Sequence, residues 1–450
     1  MKLNKLLCAC LVGMFCLPAA ASDYTAADLG GRLTPVGGDA SANADGSIPA
    51  YTGGLSTTAA PILEHGYMAD PFAGEQPLLT ISKANYAEHK DRLTPGQIAL
   101  LERYPDQYKI NVYPTHRSAA IPAAVAEKVK QNATSARLIE GGYAVENFQT
   151  GTPFPLATQA LEMVWNHAMR YRGGSSRRQF VQLTPQTGGS FTPIVFMDLG
   201  AEAKELSDYN AESAGFTQIY LKQYVLSPAR LAGTALLAHE SSNEAKQPRR
   251  AWIYNAGQRR VRMAPQVAYD GPGTAADGLR TSDNYDMYNG SPDRYDWKVV
   301  GKKEVYVPYN SYKLASPSLK YKDIAHAGVL NPEHTRYELH RVWQVEGTLK
   351  SGARHIYAKR VFFLDEDTWQ IVLADHYDAR GALWRVAEGH AIQYFNKQVP
   401  WYAAEALYDL ISGRYIVMGL HNEEKREYEF GAKFTSGDFS PAALRQAGVR

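Results

Sequence analysis

Four consecutive long segments of alternating apolar and polar residues constrain the fold of this chain most. They cover residues 337–349, 354–364, 369–378 and 383–395, and links of four residues separate them. Links of that length join antiparallel neighbours in hairpins. The segments are about twice as long as an ordinary strand of 5–6 residues. The pattern therefore predicts an α+β protein, mainly β, built on a large antiparallel sheet that is curved or partly closed.

The rest of the chain divides by its local pattern. Further strands are predicted at 216–226, 249–255, 259–264 and 297–309. An apolar stripe from Leu161 to Met169 predicts a helix that Gly173 and Gly174 end, and a second helix is predicted from Pro122 to before Gly141. We interpret residues 22–80 as an irregular N-terminal extension, 81–190 as a helical segment and 191–450 as the long-stranded antiparallel sheet. Residues 81–450 are interpreted as one domain.

The first 21 residues have the pattern of a secretory signal peptide. Lys2 and Lys5 precede an apolar stretch from Leu6 to Leu17, and small residues at 19–21 follow. All three cysteines of the chain lie in this segment. The mature protein is thus predicted to be periplasmic, or associated with the outer membrane, and to contain no disulfide, thiolate nucleophile or zinc–thiolate site.

Charge and motifs argue against several function classes. Removal of residues 1–21 lowers the formal charge from +2 to 0, which disfavours nucleic-acid binding. The sequence contains no G-x-S-x-G elbow, phosphate-binding loop or dinucleotide fingerprint. We therefore expect no catalytic residues, no cofactor and no metal site, and interpret the chain as a non-enzyme.

Two acidic segments are candidates for a metal site or a catalytic site. The loop from Asp39 to Gly46 resembles half of a calcium loop, but Ser41 and Thr52 stand where the strongest ligands belong, so a loop of Asx turns is favoured. Asp365, Glu366 and Asp367 occupy a predicted hairpin tip, where acids are ordinarily solvated.

Four residues of the predicted sheet are candidates for ligand binding. Alternation places Arg341 beside Trp343, and Arg360 beside Phe362, on otherwise apolar strand faces. A charge on an apolar face costs several kcal/mol unless it is paired. The head group of a bound lipid is one possible partner for each arginine, and an internal glutamate is the alternative.

A dense basic hairpin is the candidate surface for partner docking. Arg249, Arg250, Arg259 and Arg260 flank a turn at Asn255–Gln258. Arginines in such a cluster suit anionic head groups or an acidic protein partner. A solvated, ion-paired hairpin is the alternative.

Several sequence strings resemble one family. They are Arg32–Gly38, Asn43–Pro49 with Gly53 and Gly54, Ala276–Arg280, Asp286–Gly290, Arg294–Lys298, Val307–Asn310, Arg336–Trp343 and Arg354–Arg360. Together they resemble the family catalogued as domain of unknown function 1329, over nearly all of the mature chain.

The resemblance implies a fold and a process but assigns no catalytic residue. The family is similar to the LolA/LolB lipoprotein carriers, whose half-barrel and covering helices enclose a hydrophobic cavity. It also implies an inner-membrane exporter of the resistance–nodulation–division type and an outer-membrane protein as partners. We therefore expect a periplasmic carrier or chaperone of hydrophobic, lipid-like cargo. The alternatives are a non-catalytic adaptor of an envelope complex and a hydrolase of glycans or lipid esters.

Overall fold

A computed structural model describes residues 24–425 and 428–449. The predicted signal peptide lies outside these residues. The helices are α1 Pro95–Arg103, α2 Ala123–Ser135, α3 Ala160–Met169, α4 Ala211–Ala214, α5 Tyr321–Ile324 and α6 Pro441–Gly448. The strands are β1 Leu79–Ile81, β2 Ile110–Val112, β3 Arg137–Ile139, β4 Ala144–Glu146, β5 Ser175–Leu183, β6 Ile194–Glu202, β7 Thr217–Ser227, β8 Ala235–Ser241, β9 Arg250–Asn255, β10 Arg260–Met263, β11 Tyr295–Pro308, β12 Tyr337–Leu349, β13 Lys359–Asp365, β14 Ile371–Tyr377, β15 Leu383–Tyr394, β16 Val399–Asp409, β17 Tyr415–Leu420 and β18 Glu429–Phe430. None of the helices in the described part of the chain has the length and apolarity needed to cross a membrane.

One sheet of 16 strands dominates the molecule. Its main path runs β1-β2-β12-β13-β14-β15-β16-β17-β5-β6-β7-β8-β9-β10, while β11 pairs with β12 and β18 with β5. The sheet is unclosed, and its pairs are antiparallel except for one parallel contact between β2 and β12. The predicted fold class, an α+β protein built mainly on a large unclosed antiparallel sheet, is confirmed, and the helices of the described residues are few and short.

The sheet consists of two runs of sequential neighbours. Strands β5 to β10 follow one another in the sheet, as do β11 to β17. Strand β17 pairs with β5, at Val417 opposite Leu183, and so joins the end of the second run to the start of the first. Residues close to this junction therefore come from distant parts of the sequence.

Most predicted elements are present, with shifted ends. Strand β12 has the predicted bounds, but β13 begins at Lys359 rather than at residue 354. The backbone before it is held in a loop, where Ile356 N–H donates to Asp270 (3.0 Å) and Tyr357 N–H to His355 Nδ1 (3.0 Å). Helices α2 and α3 lie where predicted, and Gly173 and Gly174 adopt positive φ after α3. The segment 81–190 also contains strand β5.

The prediction that Asp365, Glu366 and Asp367 form a solvated hairpin tip is wrong. All three residues are buried, because the N-terminal extension folds over them. Gly38 packs so closely there that a Cβ on it would lie 2.7 Å from Asp367 Oδ1. Arg117 donates two hydrogen bonds to Asp367, from Nε (2.8 Å) and Nη2 (2.7 Å).

Candidate binding cavity

A large cavity lies between helix α3 and the face of the sheet that this helix covers, which we call the inner face. The space between its atoms, including the part open to solvent, is about 1230 Å³. Its apolar lining consists mainly of Val164, Trp165, Ala168, Met169, Ala201, Ile219, Leu221, Pro292, Trp401 and Tyr402. The centre of a water-sized sphere can move within about 120 Å³ of this cavity, and the mostly apolar lining with a few polar groups is typical of small-molecule sites.

Strand alternation places the floor of the cavity. Asp198, Gly200 and Glu202 of β6 point to one face because side chains on a strand alternate. Gly200 lies opposite Leu221 of β7, and Glu202 lies opposite Ile219. Gly200 leaves the floor open, since the nearest atoms to a Cβ there would be Ser176 Oγ at 3.5 Å and Tyr220 O at 3.9 Å.

Helix α3 is fixed over the cavity by buried polar side chains. Asn166 donates to Phe154 O (2.7 Å) and accepts from Phe154 N–H (2.8 Å). His167 Nδ1 lies 3.0 Å from Trp369 O, and its Nε2 lies 2.9 Å from Asp286 O. Burial, aided by Arg170, lowers the pKa of His167 to about 3, so the ring is neutral at physiological pH. These contacts make the roof a fixed part of the cavity.

Two arginines and one aspartate form an ion cluster at the end of α3. Arg170 Nη1 donates to Asp286 Oδ2 at 3.0 Å, and Arg172 Nε donates to the same oxygen at 3.1 Å. Burial alone would raise the pKa of Asp286, but the two guanidinium groups outweigh it and hold this pKa below its usual range. Asp286 is therefore ionised and doubly paired.

A second ion pair lies on the cavity floor. Arg178 Nε donates to Asp198 Oδ2 at 2.8 Å, and the two residues are direct cross-strand partners. The Tyr285 hydroxyl donates to the same carboxylate oxygen at 2.7 Å. The guanidinium of Arg178 also lies 4.9 Å from the ring centres of Phe180 and Trp401, which suits cation–π attraction.

Three other carboxyl groups line the cavity with raised pKa values. Burial, together with the charge of Asp286, raises the pKa of Glu405 to about 8. Burial raises the pKa values of Glu202 and Glu244 to about 7. Near neutral pH the protein thus holds these three groups largely or partly protonated, which lowers the negative charge of the cavity.

Two smaller cavities adjoin the main one. One of about 500 Å³ shares Leu221, Tyr285 and Asn289 with it and is also lined by Arg280. The other, of about 350 Å³, shares Met169, Glu202 and Ile219. The shared walls place all three along the inner face of β6, β7 and β8. A long ligand could therefore extend beyond the main cavity.

Four buried polar atoms along these walls lack a hydrogen-bond partner within the described residues. They are Arg170 Nε, Asp198 Oδ1, Gln223 Nε2 and Arg280 Nε. Three of them are donors and one is an acceptor. Buried polar atoms without a partner are rare in folded proteins and mark places where a ligand or water can complete the bonding.

The predicted ligand-binding residues do not line the main cavity. Arg341 Nε donates to Glu366 Oε1 at 2.5 Å, and its Nη2 donates to Asp39 O at 2.7 Å. Trp343 is half-buried, and Lys302 Nζ lies 4.8 Å from its ring centre. The partner of Arg341 is thus an internal glutamate, which was the stated alternative.

Arg360 and Phe362 belong to the protein interior, each with 0% of its surface exposed. Arg360 Nη2 donates to Asp283 Oδ2 at 2.6 Å, and its Nε donates to the Tyr295 hydroxyl at 3.1 Å. The Phe362 ring packs against Tyr288, with the ring centres 5.1 Å apart. Sequence alternation placed both residues on one strand face but gave no sign that this face is filled.

The four arginines predicted for partner docking do not form one surface. Arg249 points inward, where its Nε donates to Glu240 Oε2 at 2.5 Å and its Nη2 donates to Asn289 Oδ1 at 2.6 Å. Arg250, Arg259 and Arg260 are exposed at strands β9 and β10, and β10 is an edge of the sheet.

The loop from Asp39 to Gly46 has the Asx turns expected for it. Asp39 Oδ1 accepts from Ser41 N–H (2.9 Å), Asp45 Oδ1 accepts from Ser47 N–H (3.0 Å), and Gly46 has a φ of 75°. The other oxygen of Asp45 lies 3.0 Å from Arg92 Nη2. These carboxylates are thus engaged by backbone N–H groups and an arginine.

His340, Asp365 and Asp367 form a cluster that the sequence did not suggest. One potential metal-ligand atom from each lies within 4.8 Å of the others. Both oxygens of Asp367 accept from Arg117, however, and this guanidinium already supplies a positive charge. Burial, with the charge of Asp367, raises the pKa of Asp365 to about 7. These residues therefore fit a cluster in which Arg117 neutralises Asp367 and Asp365 is partly protonated, better than they fit a site for a divalent cation.

The residues that build the cavity were mostly missed from sequence. Strands β5 and β6 were not predicted, and they supply Arg178, Asp198 and Gly200. Alternation is present in both strands, but their inner positions carry arginine and aspartate, which a hydrophobicity pattern assigns to the solvent side. Their pairing across the sheet was the missing information.

Comparisons with known proteins place the chain in a family. The chain is 60% identical to "Uncharacterized protein PA3922" of Pseudomonas aeruginosa over 432 residues, 96% of this chain and 95% of that protein. A solved domain from Vibrio parahaemolyticus, described as an outer membrane lipoprotein-sorting protein, shares 15% identity, with a TM-score of 0.43 over 64% of this chain and 98% of the domain. A LolA superfamily protein of Nitrosomonas europaea, NE2245, shares 11% identity, with a TM-score of 0.38 over 63% and 98% of the two chains. The two structural similarities concern the fold alone.

The family model described as "Protein of unknown function (DUF1329)" matches residues 80–445. This match covers nearly all of the strands, helices α1 to α5 and the first part of α6. The resemblance seen in the sequence strings is therefore confirmed, and the chain belongs to the DUF1329 family.

Proposed function

We propose that this protein is a periplasmic carrier of hydrophobic, lipid-like cargo, and that the cargo binds in the main cavity. The observation that carries the proposal is the composition of the walls. Apolar side chains of α3, β7 and β16 face one another across this cavity, and such walls with a few polar groups are typical of sites for small hydrophobic ligands. Burial of an alkyl chain there would contribute about 0.8 kcal/mol for each CH₂ group removed from water.

The charges around the cavity are compatible with an apolar ligand. The four arginines that line it, Arg170, Arg172, Arg178 and Arg249, are each paired with a carboxylate. Paired charges expose less field to a ligand than isolated ones, because each neutralises the other. An alkyl chain can therefore lie beside these pairs without displacing water from an unpaired charge.

The bonding of the cavity carboxylates favours carriage over hydrolysis. A glycoside or ester hydrolase that uses two carboxyl groups needs one ionised carboxylate free to activate water or attack the substrate. Asp286 is held by two arginines, and Asp198 accepts from Arg178 and Tyr285. The partly ionised Glu202 and Glu244 also accept hydrogen bonds, from the Thr150 hydroxyl and from Arg249 N–H. We therefore propose a non-enzymatic role.

The proposal extends to location and partners. The predicted signal peptide supports export, and the carrier would act between an inner-membrane lipid exporter and an outer-membrane protein. We propose that exposed Arg259 and Arg260, at the start of the edge strand β10, and exposed Arg250 of the neighbouring strand β9 dock to such a partner.

Cavity filling tests the carrier role. Gly200→Leu would place an isobutyl group over the cavity floor without meeting backbone atoms closer than 3.9 Å from its Cβ. The full chain would be purified from its own periplasm, and bound small molecules would be identified by native mass spectrometry and organic extraction. Wild type is expected to carry a stoichiometric hydrophobic molecule, and Gly200→Leu is expected to lose most of it.

Gly188→Leu is the matched control. Gly188 is exposed in a loop, and no atom lies within 4 Å of a Cβ built there. This variant should retain cargo at the wild-type level. The carrier role would be refuted by a wild-type protein that carries no lipid and takes up none on incubation with periplasmic lipid extract, or by a Gly200→Leu variant that binds as much lipid as Gly188→Leu.

A further inference from the structure

Arg280 differs from every other buried arginine in the described part of the chain. Arg117, Arg170, Arg336, Arg341, Arg360 and Arg385 each lie within 4.0 Å of at least one carboxylate oxygen. Arg280 is 5% exposed, and among residues 24–425 and 428–449 no carboxylate lies within that distance of it. An uncompensated charge in a protein interior is costly, so its partner is expected to come from elsewhere.

The guanidinium of Arg280 has few internal hydrogen bonds. Its Nη1 donates to Thr281 O at 3.3 Å, a long contact, and its buried Nε has no partner within the described residues. Burial lowers the pKa of Arg280, whereas the pKa of Arg117, which has carboxylate partners, is raised. The charges of Glu405 and Asp283 act against this lowering, but burial raises the pKa of Glu405 to about 8, so it is largely protonated at neutral pH, and Asp283 is already paired with Arg360.

The surrounding backbone holds Arg280 in a defined position. Gly273 N–H donates to Arg280 O at 3.2 Å, and a Cβ on Gly273 would lie 2.7 Å from Arg280 Cζ. The guanidinium thus rests directly on the backbone of Gly273, in a space that another residue would fill. This close approach keeps the charged group at the wall of the cavity of about 500 Å³.

The wall of that cavity combines Arg280 with a second unpartnered donor and an apolar lining. Gln223 Nε2 is buried and has no hydrogen-bond partner within the described residues. Leu221, Leu236 and Ile253 supply apolar surface beside these donors, and Leu221 also lines the main cavity. A chain in the main cavity could therefore place its polar end between Arg280 and Gln223.

We propose that Arg280 is the anchor for an anionic head group, so that the cargo is an amphiphile with a carboxylate or phosphate at one end and an alkyl chain in the main cavity. This inference rests on the proposed carrier function and specifies its ligand. Carboxylates and phosphates accept the hydrogen bonds that Nε of Arg280 and Nε2 of Gln223 offer, and an arginine binds such groups with charge-assisted bonds.

Three ligands with the same alkyl chain test the head group: palmitate, hexadecyl phosphate and hexadecanol. Their binding to the full chain would be measured by equilibrium dialysis, below the critical micelle concentrations of the two anions and below the solubility limit of hexadecanol. Palmitate or hexadecyl phosphate is expected to bind roughly 10- to 100-fold more tightly than hexadecanol, as befits a hydrogen bond to a charged group. Preference for one of the two anions would distinguish a fatty-acid carboxylate from a phospholipid phosphate.

Two variants test the residue. Arg280→Met should reduce anion affinity to that of hexadecanol and leave hexadecanol binding unchanged, whereas Arg280→Lys should retain part of the preference. Because no carboxylate loses its partner, the unfolding temperature of Arg280→Met without ligand should not fall. The control is Arg380→Met at an exposed hairpin, where 82% of the side chain is accessible.

Failure of this inference differs from failure of the carrier proposal. Equal affinity of wild type for hexadecanol and for both anions would overturn the anchor role of Arg280 alone, as would an anion preference that survives in Arg280→Met. Absence of binding for all three ligands would overturn the carrier function, and the head-group inference with it.

Discussion

Replacement of Arg360 by methionine tests whether this arginine stabilises the fold or binds a ligand. Arg360 is fully buried, and its Nη2 lies 2.6 Å from Asp283 Oδ2. At that distance the attraction is about 6 kcal/mol for an effective dielectric constant of about 20, before the cost of removing both groups from water. Loss of one partner from a buried pair costs about 3–5 kcal/mol, since the other charge stays behind. We expect Arg360→Met to lower the free energy of unfolding by that amount.

The pH dependence of this loss can be derived from Asp283. Burial would raise the pKa of Asp283, but Arg360 and His355 outweigh it and hold that pKa below its usual range. In wild type this group contributes stability above its unfolded pKa of about 4, and the contribution is lost as pH falls through the lower folded value. Without Arg360 the pKa of Asp283 in the folded protein rises. The folded variant then loses stability as the pH increases, because Asp283 ionises more easily in the unfolded chain. The loss should therefore be greater at pH 8 than at pH 5.

Urea unfolding followed by tryptophan fluorescence measures both effects. Arg380→Met, at an exposed position, should change the unfolding free energy by less than about 0.5 kcal/mol. In Arg360→Met with Asp283→Leu, part of the stability should return because no charge is left unpaired. The reasoning would be refuted if Arg360→Met lost under 1 kcal/mol, or if it lost cargo while remaining as stable as wild type.

Two further predictions concern the cavity and the arginine hairpin. Burial and the charge of Asp286 raise the pKa of Glu405 to about 8 in the folded protein. Because Glu405 ionises at lower pH in the unfolded chain, the free energy of unfolding of wild type should fall as the pH rises from about 4.5 to 8. Glu405→Gln should flatten this dependence and be the more stable protein at pH 8 in the same urea assay; an unchanged slope would contradict the buried-acid account. Arg259→Glu with Arg260→Glu should leave the unfolding free energy within about 0.5 kcal/mol of wild type and abolish envelope-partner capture in cross-linking from intact cells. Undiminished capture would show that docking uses another surface.

The sequence could reveal elements whose pattern is local. Strand β12 was predicted with its bounds because alternation runs through all its residues, and the glycines after α3 marked the end of that helix. Strand β16 was missed, since Pro400 and small residues such as Ala403 and Ala404 interrupt the alternation. Its position depends on pairing with β15 and β17, which no local pattern encodes.

The site was harder to predict because it depends on which charges meet. Arg341 and Arg360 do need partners for their charges, but those partners, Glu366 and Asp283, are internal and leave no place for a ligand. Burial of Glu366 results from coverage by the N-terminal extension, which the irregular sequence of residues 22–80 does not reveal. Arg280 stands out only when the surroundings of every buried arginine are known.

The order of strands in the sheet has a consequence for how the protein matures. Each run of sequential strands can form from contacts close in sequence, which is fast, but pairing of β5 with β17 must wait for the last third of the chain. The main cavity draws Arg178 and Asp198 from the first run and Tyr402 and Glu405 from the second. It therefore cannot exist in a partly synthesised chain. We expect cargo uptake to report completion of folding, since only a molecule whose two runs have joined can hold a ligand.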